Sequence, residues 1–112
     1  MYDMRILIAN DPRSYREVIA AAVQELRPQH SVVSVAPDEV DTEICRFMPH
    51  LVVCSQLRPV VESNALAWIM LYPAGKTQSE FSIAGQRTAV PDIGFNDLLA
   101  IVDRTEQLAD IR

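Results

Sequence analysis

The chain has 112 residues, 49% of them apolar and 22% charged, with a net charge of −5 at neutral pH. That length and balance fit a single globular domain, residues 1–112, burying roughly two-thirds of its unfolded surface without staples. An acid excess with no Lys/Arg cluster argues against a nucleic-acid surface, and no apolar run nears the ~18 residues of a membrane span.

No basic segment followed by an apolar one marks the N-terminus, so the cytoplasm is the expected compartment. Met1 and Met4 are both possible starts, and the first strand survives either choice. Cys45 and Cys54 stand in apolar surroundings and are expected to be small buried hydrophobes rather than a disulfide. His30 and His50 are the only histidines, too few for a His/Cys metal cluster, and no cofactor is expected.

Taken in order, Arg5–Ala9 is an apolar run of the kind found in strands buried on both faces. Asp11-Pro12 reads as a helix start, the carboxylate as N-cap and the proline at N1. Tyr15, Val18, Ile19, Ala22, Val23 and Leu26 then follow the spacing of an amphipathic helix, as its apolar side, and Pro28 ends the pattern. A second strand is expected at Ser31–Val35. The stretch PDEVDTEICRFMP, 37–49, reads as a helix whose early acids favour its dipole, with Val40, Ile44, Phe47 and Met48 facing inward. HLVVCS supplies a third strand and ALAWIMLY a fourth. The segment SEFSIAGQRTAV alternates enough for two short strands around Ala84-Gly85, or for an edge strand and a loop. A last helix is expected from about Asn96 or Asp97, with Phe95, Leu98, Leu99, Val102 and Leu108 on its inner side. Alternating strands and helices are the pattern of βαβ units around a parallel sheet.

RILIANDP, PHLVVCSQLRP and VPDIGFNDLLAIV, in this order and spacing, make the chain similar to the receiver domain of bacterial two-component response regulators. The match covers most of the length and is best over residues 5–59. The resemblance implies a flavodoxin-like three-layer α/β sandwich with a mostly parallel five-stranded sheet in the order 2-1-3-4-5. It sets Asn10 and Asp11 at the family's acidic turn and Ser55 at the phosphoacceptor position, with Pro59 four residues on. Tyr72 or Pro73 falls where a Ser/Thr is usual, and Val90 where a lysine contacts the phosphoryl group.

The departures decide the expectation. In the family three carboxylates hold Mg²⁺ and offset the phosphoryl charge; here Asn10, Asp11 and Ser55 leave one. A serine is protonated at neutral pH and has no histidine in the motif to activate it. No acyl-phosphate chemistry and no enzymatic activity are expected. Between Ser55 and Ala67 a full crossover helix does not fit, so the third helix, and with it the fourth, is expected to be shortened or replaced by turn, loop or strand.

Plainer roles stand beside these. Asp11 suits an N-cap and Ser55 a turn; Arg58 is either a solvated loop residue or a guanidinium reaching back to Asp11. AGKT, 74–77, lacks the glycine a phosphate loop needs at Met70. Trp68 and Tyr72 read as core aromatics, His50 as the residue leading into a strand. The expected function is a phosphorylation-independent, receiver-like signalling module acting through a protein partner, itself included as a homodimer, without nucleic acid or membrane. The alternative is a binder of a small, nucleotide-like ligand at the C-terminal edge of the sheet, lined by Asn10, Asp11, Ser55 and Tyr72.

Overall fold

The computed structural model describes residues 3–71, 78–91 and 93–111. Within them the elements run β1 (Arg5–Ala9), α1 (Arg13–Leu26), β2 (Ser31–Ser34), a 3₁₀ turn (Pro37–Glu39), α2 (Val40–Phe47), β3 (Leu51–Cys54), α3 (Pro59–Asn64), β4 (Ala67–Met70), β5 (Ser79–Ile83), β6 (Gln86–Val90) and α4 (Phe95–Ile111). The six strands form one sheet in the order β2-β1-β3-β4-β5-β6. β1 through β4 pair in parallel, while β5 and β6 are antiparallel. The expected five-stranded parallel sheet is therefore corrected to a six-stranded mixed one. β5 runs antiparallel to β4, and a hairpin continues it into β6.

That hairpin turns on Ala84 and Gly85, both at positive φ (53° and 85°), with Ile83 opposite Gln86. Two central residues at positive φ make the two-residue turn whose twist matches its strands. The described residues contain no helix between β4 and β6, so this hairpin stands where the fourth helix was expected to be reduced. α3 is indeed short, at 6 residues.

Side chains alternate across the sheet into two cores. One joins Ile6, Ile8, Leu51, Val53, Ile69 and Ile83 to Ile19 and Val23 of α1 and Leu98, Ile101 and Val102 of α4. The other joins Leu7, Val52, Trp68 and Met70 to Val40 and Ile44 of α2 and Val61 of α3. All four residues of β3 and of β4 are buried, as central parallel strands require. On the second face α3 is too short to cover the hairpin. The Arg87 guanidinium lies 5.1 Å from the Trp68 ring centre and pairs with Glu80 at 2.9 Å and Glu62 at 3.0 Å. An ionic roof thus covers the tryptophan where a helix face is missing.

Several inward expectations are corrected by exposure. Tyr15, Val18 and Leu26 of α1 are exposed, and so is Met48, which leaves α2 in a left-handed conformation at φ 51°. Only the part of α1 centred on Ile19 and Val23 meets the sheet. Cys45 is exposed and Cys54 buried; both are free thiols. α4 begins at Phe95 and also buries Ile101, Thr105 and Ala109. Asp11 does not cap α1, whose N-cap is Pro12 with no side-chain bond. Among the described residues no helix is long and apolar enough to cross a membrane.

Candidate functional site

The C-terminal ends of β1, β3 and β4 meet at one edge of the sheet, where parallel α/β folds place their crevices. Asn10 follows β1 and is fully buried. Its Nδ2 donates to the Leu71 carbonyl at 2.8 Å, tying the exit of β1 to that of β4 across the end of β3. Leu71 N–H in turn donates to the Cys54 carbonyl at 2.8 Å. A carboxylate at position 10 has no hydrogen to give this carbonyl, so the amide is what the geometry requires. Asn10 Oδ1 is the one buried side-chain polar atom without a partner among the described residues.

Ser55, just past β3, accepts the Asp11 backbone N–H on Oγ at 3.1 Å. The hydroxyl therefore serves as a clasp between the turns after β1 and β3. His30 and His50 precede β2 and β3 at the opposite edge of the sheet, so neither supplies Ser55 with a base. Among the described residues no group of three or more His, Cys, Asp and Glu is placed to hold a metal ion.

The guanidinium beside Asp11 comes from Arg16, on the first turns of α1. Its Nη1 lies 3.3 Å from the Asn10 carbonyl and 3.5 Å from Asp11 Oδ1. Helical side chains lean toward their N-terminus, which brings Arg16 back over the exit of β1. A cation thus sits on the one carboxylate of the turn. Arg58, expected as a loop residue or as a filler of this pocket, grips Asp41 instead, at 2.7 and 3.1 Å. That bond raises the Arg58 pKa and lowers that of Asp41.

Not every residue of the expected pocket is assembled. Asn10, Asp11 and Ser55 come together; Val90 ends β6, four strand spacings from β1 or about 19 Å. It lines a separate cleft of about 250 Å³ with Phe81, Ile93, Asp97, Ala100, Ile101 and Arg104. Tyr72 and the AGKT segment lie outside the described residues. Beneath the site, burial pushes the Cys54 thiol up to about 12, so it stays protonated at neutral pH. Sequence reasoning missed Arg16, although a basic residue one turn into the helix after an acidic turn is a visible signal. The Leu71 carbonyl is main chain and carries no signal in side-chain pattern.

A mixed six-stranded α/β protein with an internally bonded C-terminal edge is the class these observations define. Compared with known proteins, the chain matches no family model, no curated sequence and no solved structure.

Proposed function

We propose that the chain is a phosphorylation-independent, receiver-like interaction module whose contacts run through the exposed face of α1. The observation that carries this is the distribution of exposed apolar side chains. Of the four large exposed hydrophobics among the described residues, three are Tyr15, Val18 and Leu26, at 48%, 68% and 49% exposure. With half-buried Ala22 between them they form one stripe along the helix, spanning about 16 Å at 1.5 Å per residue. A continuous apolar stripe beside an already buried face is a mark of a protein-binding helix.

A second copy of the chain is the partner this reading names. Antiparallel pairing of two α1 helices brings Glu25 of each toward Ser14 of the other, whereas parallel pairing sets the two glutamates side by side. The bonded state of Asn10, Asp11 and Ser55 supports a role without phosphoryl transfer or other catalysis. The reading is tested by amide spectra over a concentration series. Shifts confined to Arg13–Leu26 are expected as concentration rises; shifts elsewhere, or none, contradict it.

A second reading rests on the unpartnered Asn10 Oδ1, a buried acceptor at the sheet edge that a small polar ligand would satisfy on opening the turn above it. A rise in melting temperature with a nucleotide, absent with phosphate alone, would favour it.

A further inference from the structure

At the N-terminal edge of the sheet, away from both α1's stripe and the Asn10 turn, lies a cleft of about 220 Å³. Arg5, Ile44, Met48, Pro49, Asn64 and Leu66 line it together with His50. Its floor is apolar: Ile44 is 4% exposed and Pro49 buried. Its cation is Arg5.

Arg5 differs from its fellows. Arg13, Arg16, Arg27, Arg46, Arg58 and Arg87 each sit on a carboxylate. Among the described residues only Arg5 and Arg104 do not, and each of these two lines a cleft. Arg104 shares its cleft with the Asp97 carboxylate, whereas no acid is among the described residues that line the Arg5 cleft. Arg5 Nε donates to the Met48 carbonyl at 3.0 Å, which fixes the guanidinium plane at the rim. The Nη1/Nη2 edge remains, a planar fork matched to a carboxylate. Beside it His50 accepts the Arg5 backbone N–H on Nδ1 at 3.0 Å, which places the ring proton on Nε2. Met48, in its left-handed conformation, stands 65% exposed at the mouth.

We propose that this cleft binds a small monocarboxylate bearing an apolar tail. The carboxylate takes the Nη edge of Arg5, and the tail lies on Ile44, Pro49 and Leu66. The volume falls below the ~300–1,000 Å³ of drug-sized pockets, which limits the ligand to a short acid. One arginine with an apolar floor suits a monoanion; a phosphate dianion needs more donors than the cleft offers.

The test is an amide-resolved titration of the native chain with hexanoate, hexanamide and inorganic phosphate in parallel. Hexanoate is expected to give saturable shifts at Met48, His50, Asn64 and Leu66, with a Kd on the order of 1 mM for so small a ligand. Hexanamide and the Arg5→Gln variant should each bind about tenfold more weakly, the loss of one charge-assisted pair. Met48→Glu, an exposed change that adds a like charge at the mouth without touching the core, should also weaken hexanoate; it decides the matter if Arg5→Gln fails to fold. Equal affinity for hexanamide, equal affinity for phosphate, unaltered binding in both variants, or shifts that never saturate would each overturn the proposal.

Discussion

His30 and His50 hold the backbone amides of two consecutive residues. Met4 N–H donates to His30 Nδ1 and Arg5 N–H to His50 Nδ1, each at 3.0 Å. His30 stands one residue before β2 and His50 one residue before β3, the two strands that flank β1. The start of β1 is thus clamped from both sides by rings acting as acceptors. His30 goes further, since its Nε2 lies 3.0 Å from Glu106 Oε1 and reaches α4.

The two clamps are unequal because His30 is buried and His50 only partly so. His30→Ala leaves the Met4 amide buried without a partner and opens a cavity. A loss of about 3 kcal/mol is expected, from the unmet donor and the void together. His50→Ala should cost about 1 kcal/mol, since water can reach the freed amide. Urea unfolding of the two variants checks the order; equal losses would count against the clamp.

Cys54 links burial to alkaline stability. Its pKa is raised from 9.0 to about 12 in the folded chain, chiefly by burial. A raised value means the folded state holds the proton more tightly, so this contribution is complete below about pH 9 and declines as pH climbs from 9 toward 12. The slope approaches about 1.4 kcal/mol per pH unit in that window. Cys54→Ala should remove that part of the slope in alkaline unfolding curves. A thiol reagent at neutral pH should label exposed Cys45 quickly and Cys54 only after unfolding.

Ala84 occupies a conformation that costs an L-residue with a Cβ. In a two-residue hairpin turn of this kind Asn-Gly is the favoured pair. Ala84→Asn is therefore expected to stabilise by about 1 kcal/mol, raising the melting temperature by about 4 °C for a domain of this size. An unchanged or lower melting temperature would contradict the turn geometry.

Asn10 makes the expected absence of phosphoryl chemistry testable. Asn10→Asp sets a carboxylate against the Leu71 carbonyl in a fully buried position, and a loss of about 3 kcal/mol is expected. Mg²⁺ with beryllofluoride should leave the melting temperature of the native chain unchanged. A reproducible rise would mean that the folded chain binds a phosphoryl mimic.

The legible parts of the fold were those written in period and punctuation. Arg5–Ala9 announced a buried strand, the crowding between Ser55 and Ala67 announced a shortened helix, and Ala84-Gly85 marked the place where strands could turn. Direction was not legible: alternation in residues 79–90 says strand, yet whether the strand runs parallel or back depends on what connects it. The inward face of α1 is not fixed by its sequence, because six apolar positions share a broad sector of the helix. Only contact with the sheet decides that Ile19 and Val23 are inside and Val18 is not. At the site, Asn10, Asp11 and Ser55 followed from strand ends, but their bonds did not. Arg16 reaches the turn through helical lean, and Arg58 is drawn to Asp41, a residue 17 positions away in sequence.

Sedimentation velocity of the native chain beside Val18→Asp tests the apolar stripe of α1 most directly. Val18 is 68% exposed, so the substitution leaves both cores untouched. The native chain is expected to shift from monomer toward dimer as concentration rises through the micromolar range, and the variant to remain a monomer throughout. A native chain that stays monomeric at every concentration, or a variant that dimerises equally well, would contradict the claim that α1 carries the contact.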